Sequence, residues 1–216
     1  MIKKFAIYCS EGASRIIKFY SFNKNLVEYK PEKVIYDGEN KNVINKLTML
    51  FGNDLVLLKK SELTKIELKQ IHTTTSLFLH RVLVENNVEY LLCFGDKILK
   101  RELIKAYHNK LINFHPAILP SFKGLKAIDQ ALEFGSEFLG NTAHYIDEGI
   151  DTGKIIIQSA MLKEDFNDYE DVLELQFPLI KMILRDFINY DINDEKIIEE
   201  IINRKKPYLI SKKCKK

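Results

Sequence analysis

The sequence predicts an α/β fold: a single doubly wound, mostly parallel sheet flanked by helices. Three observations predict it. Short apolar runs of strand length recur at residues 3–10, 32–38, 54–59 and 89–96, amphipathic segments of helical period lie between them, and glycines close several segments (Gly38, Gly52, Gly135). Strands that alternate with helices argue for parallel pairing, because each crossover needs a connection about as long as a helix.

In chain order, KKFAIYCS (3–10) reads as a buried first strand, followed by the loop EGASR and the helix-like IIKFYSF. A strand, a glycine loop and a helix in that order can place a phosphate at a helix N-terminus, here with one glycine, Gly12. EKVIYDG (32–38) is the second strand, with Asp37-Gly38 as its turn, and residues 40–52 form a helix ending at Gly52. DLVLLK (54–59) is the third strand. Residues 61–87 read as mainly helical, with a break at TTTS (73–76), and EYLLCFGD (89–96) has the pattern of a fully buried strand. The short amphipathic segment KILKRELIKAYHN leads to the strand LINF, and LKAIDQALEFG is a helix closed by Gly135. GNTAHYI and KIIIQSAM are strands around an acidic loop. Residues 168–190 read as a long helix bent or interrupted at Pro178, NDEKIIEEIINRKK as an exposed terminal helix, and SKKCKK as a solvated tail.

The 216 residues suffice for one α/β domain with a full core, and no linker, repeat or low-complexity segment divides them. No apolar run is long enough to span a bilayer, and Glu11 interrupts the short apolar stretch that could have opened a signal peptide. A net charge of +3 is too mild to argue for nucleic acid. Cys9, Cys93 and Cys214 have no metal-binding spacing, and the first two fall in apolar runs. They read as buried free thiols of a cytoplasmic protein. Expected partners are small molecules, with no membrane, no nucleic acid and no metal, and the assembly is a monomer or homodimer.

Chemistry gathers in NFHPAILPSFKGLKAIDQALEFG (113–135) and TAHYIDEGIDTGKIIIQ (142–158). Asn113 and His115 stand two apart at the end of a strand and so project from one face, and Pro116 ends the ladder. The second block supplies Asp147, Glu148 and Asp151 in a loop bent by Gly149 and Gly153. A carboxamide, an imidazole and a carboxylate together make an acyl-transfer site without a covalent nucleophile. His72, His80, His108 and His144 have no credible ligand spacing, and no Gly-x-Ser-x-Gly elbow surrounds Ser10, Ser14 or Ser121.

These blocks resemble those of the folate-dependent formyltransferases, most closely the glycinamide ribonucleotide (GAR) transformylase branch. The likeness rests on Asn113-x-His115-Pro116-x-x-Leu119-Pro120, on Gly124-Leu125 and Gln130-Ala131-Leu132-Glu133-x-Gly135, and on His144 with Asp147-Glu148-Gly149-x-Asp151-x-Gly153. It implies the same Rossmann-like fold and formyl transfer from 10-formyltetrahydrofolate to an amine. By the same resemblance Asn113 stabilises the oxyanion, His115 shuttles the proton, and Asp151 raises the His115 pKa and orders a relaying water. His144 is expected to stand behind this trio. The folate is expected on Lys97, Ile98 and Leu99 and on Ile146, Asp147, Glu148, Gly149 and Ile150, largely through backbone atoms. The one domain, 1–216, then divides into an acceptor half (1–88), a folate-binding and catalytic half (89–160) and C-terminal helices (161–216).

The acceptor side departs from the GAR pattern. Where that branch has Ser-Gly-x-Gly-Ser-Asn, this chain has Ser10-Glu11-Gly12-Ala13-Ser14-Arg15, and where it has Gln-Glu-His late in the chain stands Leu175-Gln176-Phe177. Gly12, Ser14, Arg15 and Gln176 are the matching candidates for the acceptor. The changes favour a different amine, that of a nucleotide-linked amino sugar such as a dTDP-4-amino-4,6-dideoxy sugar, with GAR as the alternative. A formyltetrahydrofolate hydrolase and a non-catalytic folate binder are the remaining readings.

Overall fold

The computed structural model describes residues 2–23, 30–188 and, for the backbone, 208–212. The chain divides into two compact units, one spanning Lys3–Leu111 and one built from Ile112 onward.

In the first unit β1 (Phe5–Cys9) leads through α1 (Ser14–Phe22) to β2 (Lys33–Tyr36), and α2 (Lys41–Phe51) leads to β3 (Leu55–Leu57). The helices α3 (Lys65–Lys69) and α4 (Ile71–Glu85) precede β4 (Tyr90–Phe94), and α5 (Arg101–Ala106) follows it. The strands lie in the order β3-β2-β1-β4, and every described pair among them is parallel. All five residues of β1 and of β4 are buried, as strands covered on both faces must be, which is why they read as continuous apolar runs. Asn40 caps α2 by accepting the N–H groups of Asn42 and Val43, and Thr64 with Glu67 forms a capping box on α3. Cys9 and Cys93 are buried free thiols, and burial pushes the Cys9 thiol up to about 12.

The helix break expected at TTTS falls instead at Gln70, between α3 and α4. Thr75 and Ser76 are buried within α4, and the hydroxyls of Thr74 and Ser76 donate to the carbonyls of Glu67 and His72. The Ser76 bond is back-bonding within α4 and the Thr74 bond ties α4 to α3, so the turn preference of these two hydroxyls does not decide the matter.

The second unit begins with β5 (Leu111–His115), continues through α6 (Ala127–Glu133) to β6 (Phe138–Tyr145) and β7 (Ile155–Leu162), and includes α7 (Tyr169–Glu174), α8 (Gln176–Ile188) and β8 (Tyr208–Lys212). Its strands lie in the order β5-β6-β7-β8, all antiparallel. The α/β class holds, and its parallel character lies in the strands before Leu111. The expected interruption near Pro178 is real but sits at Leu175, between α7 and α8. Pro178 occupies the first turn of α8, where a missing N–H costs no helical bond. The segment expected as a solvated tail contributes Ser211 and Lys212 to β8, while the remainder of that tail and the expected terminal helix lie outside the described residues.

Candidate active site

The second unit assembles a polar group on β5, β6 and the loop between β6 and β7. Pairing of β5 with β6 sets Asn113 opposite His144 and His115 opposite Thr142. All four residues therefore rise from one face of two adjacent strands. The β6–β7 register slips between Ala143 and His144, the kind of irregularity that re-aims a side chain.

Asp151 joins them. Its Oδ2 accepts the Gly124 N–H at 2.8 Å and lies 3.3 Å from His115 Nδ1. Its Oδ1 accepts from Asn113 Nδ2 at 3.4 Å and lies 3.4 Å from His144 Nε2. Asp151 holds φ at 51°, a left-handed conformation that Asp tolerates better than most residues. The loop that places it is drawn tight: Asp147 Oδ1 accepts the Gly149 N–H at 3.1 Å and the Thr152 hydroxyl at 2.6 Å. At the neck Tyr145 N–H donates to Lys154 O at 3.0 Å, and a Cβ on Gly153 would sit 1.7 Å from Tyr145 O.

Two carbonyls fix the imidazoles. His115 Nε2 lies 2.8 Å from Phe122 O, and His144 Nδ1 lies 2.8 Å from Tyr145 O. A carbonyl only accepts, so each facing nitrogen carries a proton. In the neutral rings the lone pairs then sit on His115 Nδ1 and His144 Nε2. The latter accepts from Asn113 Nδ2 at 3.2 Å, which leaves the Asn113 carbonyl oxygen pointing away from this group. Phe122, which supplies one of the two carbonyls, holds φ at 55°. A bulky residue there stores strain of the sort that collects at functional sites.

Burial pulls the His115 pKa below the ordinary histidine value, although the Phe122 carbonyl and the Asp151 carboxylate both push it upward. Asp151 does pull this pKa upward as expected, but desolvation of a side chain only 5% exposed outweighs that pull. Burial pushes Asp151 upward, yet its contact with His144, the hydrogen bond from the Gly124 amide and the nearby His115 leave it below the usual carboxylate value. At neutral pH the arrangement is a carboxylate beside a neutral imidazole whose open nitrogen faces it. If proton acceptance by His115 governs turnover, the acid limb of kcat/KM lies below the ordinary histidine value of about 6.5. A pH–rate profile with its limb above that value excludes the assignment. Folding follows the same sign. The unfolded imidazole binds its proton at higher pH, so this contribution to stability is present above about 6.5 and is lost as pH falls toward the folded value.

Thr142 anchors the chain after the site. Its hydroxyl donates to Ala117 O at 2.7 Å and accepts from Leu119 N–H at 3.0 Å and from Gln158 Nε2 at 2.9 Å. Thr142, Gln158 and the Gly124 amide were not legible as site residues. Thr142 lies two before His144 and so shares its face, which is the one signal available for it.

The chain has counterparts among known proteins. The family described as Formyl transferase matches residues 43–174. The phosphoribosylglycinamide formyltransferase of Bacillus subtilis (strain 168) is 30% identical over 178 residues, 79% of this chain and 85% of that protein. The chain belongs to the formyl transferase family. The "Trifunctional purine biosynthetic protein adenosine-3" of Drosophila pseudoobscura pseudoobscura is 44% identical to this formyltransferase over 84 residues, 38% of this chain and 6% of that much longer protein. The crystal structure of phosphoribosylglycinamide formyltransferase from Anaplasma phagocytophilum superposes with a TM-score of 0.68 at 25% identity, covering 86% of this chain and 89% of that one. Folate dependence and the Rossmann-like fold follow with membership. Among the described residues no helix of this formyltransferase is long and apolar enough to cross a membrane.

The remaining candidates fall in different places. Lys97, Ile98 and Leu99 follow β4 in the first unit. The Lys97 ammonium lies 2.5 Å from Asp96 Oδ1 and 3.6 Å from Asp37 Oδ2; burial lowers its pKa, but these carboxylates more than compensate and raise it. Ile98 is exposed and Leu99 buried. In the second unit Ile146, Asp147, Glu148, Gly149 and Ile150 form the loop that delivers Asp151, with Ile150 exposed.

Two acceptor candidates are tied to the protein. Arg15 donates from Nη2 to Phe94 O at 3.2 Å and lies over the Phe94 ring. Gln176 is fully buried and donates to Phe114 O at 3.2 Å and to Asn141 Oδ1 at 2.7 Å. It braces the strand that carries Asn113 and His115. Ser14 opens α1, whose N-cap, Ala13, is left-handed and gives no side-chain cap. A Cβ on Gly12 would meet nothing within 4 Å, so sterics alone do not require glycine there.

Proposed function

We propose that this formyltransferase moves the formyl group of 10-formyltetrahydrofolate to the amine of phosphoribosylglycinamide. The observation that carries the reading is the hydrogen-bonded group of Asn113, His115 and Asp151, on a chain that covers most of a relative bearing that name. The amino-sugar reading rested on the altered loop at residues 10–15 and on Leu175-Gln176-Phe177, and the relatives support its alternative instead.

In the reaction the amine nitrogen forms a bond to the formyl carbon and charge gathers on the formyl oxygen. The bond to the folate nitrogen then breaks, and a proton passes from the amine to that nitrogen. Asn113 serves the oxyanion by trading its longer contact, 3.4 Å to Asp151, for one to the charged oxygen. His115 and Asp151 hold the proton in transit. Asp151 is the more exposed of the two and meets it first, and the neutral Nδ1 behind it takes it up as an imidazolium beside a carboxylate. His144, with its proton committed to Tyr145 O, keeps Asn113 turned so that its N–H groups face the reaction. The folate contacts proposed within the first unit are Lys97, Ile98 and Leu99, and those proposed within the second are Ile146, Asp147, Glu148, Gly149 and Ile150, in each case chiefly through backbone atoms.

The test is release of tetrahydrofolate from 10-formyltetrahydrofolate, followed by absorbance, with phosphoribosylglycinamide, with a dTDP-linked 4-amino sugar, and with no amine. A signal confined to phosphoribosylglycinamide is expected. Turnover only with the sugar nucleotide would return the altered loop to the role of selecting another acceptor. Turnover without an amine would identify a hydrolase, and silence with every amine a folate binder.

A further inference from the structure

Three alternate backbone amides in residues 96–100 donate to side chains. Asp96 N–H reaches Ser10 Oγ at 3.3 Å, Ile98 N–H reaches His72 Nδ1 at 3.2 Å, and Lys100 N–H reaches Ser76 Oγ at 2.9 Å. His72 and Ser76 are four apart on α4 and therefore lie on one face of it. The Ser76 hydroxyl donates to His72 O at 2.8 Å, which leaves its lone pairs for Lys100. The segment they hold is irregular backbone between β4 and α5, with no ladder of its own. Stretches of that kind open easily unless tethered. Lys97, clipped to Asp96 and Asp37, adds a further tether, and Asp37 Oδ2 in turn accepts the Tyr8 hydroxyl at 2.8 Å.

We propose that His72 and Ser76 are positioning residues for the folate: from α4 they hold the backbone of residues 96–100 in the shape the cosubstrate meets. This rests on the proposed folate role of Lys97, Ile98 and Leu99. A ligand gripped through main-chain atoms gains nothing from side-chain identity, so its affinity depends on how firmly those atoms are held. His72 does this with a lone pair, because Nδ1 must accept while Nε2 carries the ring proton. An asparagine there presents a side-chain oxygen close to the place of Nδ1, whereas phenylalanine fills the ring volume and offers no acceptor.

The test combines amide hydrogen exchange of the free protein with steady-state kinetics on wild type, His72→Phe, His72→Asn and Ser76→Ala. In His72→Phe the Ile98 amide should exchange about tenfold faster, and the KM for 10-formyltetrahydrofolate should rise about five- to tenfold, the worth of one neutral hydrogen bond. The acceptor KM and kcat should change less, and His72→Asn should recover both readouts. Ser76→Ala should loosen Lys100 instead and raise the same KM, which keeps the test open if His72→Phe does not fold. Unaltered exchange in the variants would remove the tether, and faster exchange with an unmoved folate KM would remove its role in positioning. Equal rises in both KM values would reduce it to general stability. If wild type turns over no folate while the Ile98 amide is protected through His72, the formyl-transfer reading fails and takes this role with it.

Discussion

Asp151→Asn is expected to lower kcat about 10²–10⁴-fold, the span of a lost general acid–base group, while the protein remains folded. The carboxylate meets four groups at once: Asn113 and His144 on Oδ1, and Gly124 and His115 on Oδ2. An asparagine has one accepting oxygen, so its NH2 must face either the Gly124 N–H or the Asn113 N–H groups, donor against donor. The upward pull of Asp151 on His115 also disappears, so the His115 pKa falls further and any surviving acid limb of kcat/KM moves to lower pH. Turnover, a pH–rate profile and a thermal melt on the same preparation check all three points. A variant with near-wild-type kcat would exclude Asp151 from proton transfer, and a limb displaced to higher pH would contradict the electrostatic argument.

Gly153→Ala should be the most damaging single-methyl change in the active-site loop, costing about 3 kcal/mol and lowering Tm by roughly 10 °C. The added carbon would meet the carbonyl oxygen of Tyr145 at 1.7 Å and its carbon at 2.7 Å, both backbone atoms of β6 that rotation cannot clear. Relief requires parting the Tyr145–Lys154 hydrogen bond at the neck of the loop, which would carry Asp151 away from His115. Gly12→Ala is the matched control, since a methyl there meets nothing within 4 Å. Thermal melts and kcat on the two variants suffice. Equal stability of both would show that the neck yields at little cost.

The strands were legible because burial on two faces leaves little but apolar residues, so β1 and β4 announce themselves without long-range information. Asn113 and His115 were legible for a related reason: a period of two puts both on one face before any partner is known. Asp151 lies 36 positions beyond His115, and only the resemblance joined it to the pair. Phe122 O and the Gly124 N–H had no such route, because every residue carries a carbonyl and nearly every residue an amide, and only folding decides which of them face a side chain. Arg15 and Gln176 show the reverse ambiguity. Their side chains suit a phosphate or a sugar hydroxyl, but the same donors satisfy carbonyls at Phe94 and Phe114, and residue type does not distinguish the two uses. The TTTS break failed because hydroxyl back-bonding within the chain is invisible to turn propensity.

Strand β8 has a consequence for handling the protein. Residues 208–212 pair with 157–161 of β7 and occupy a row of amides and carbonyls that would otherwise be an open margin. That margin belongs to a strand bearing Ile155, Ile156, Ile157 and Met161, the composition most prone to recruit a strand from another molecule. A chain cut before Tyr208 should therefore expose the β7 margin and self-associate more readily, without altering a single residue of the chemistry.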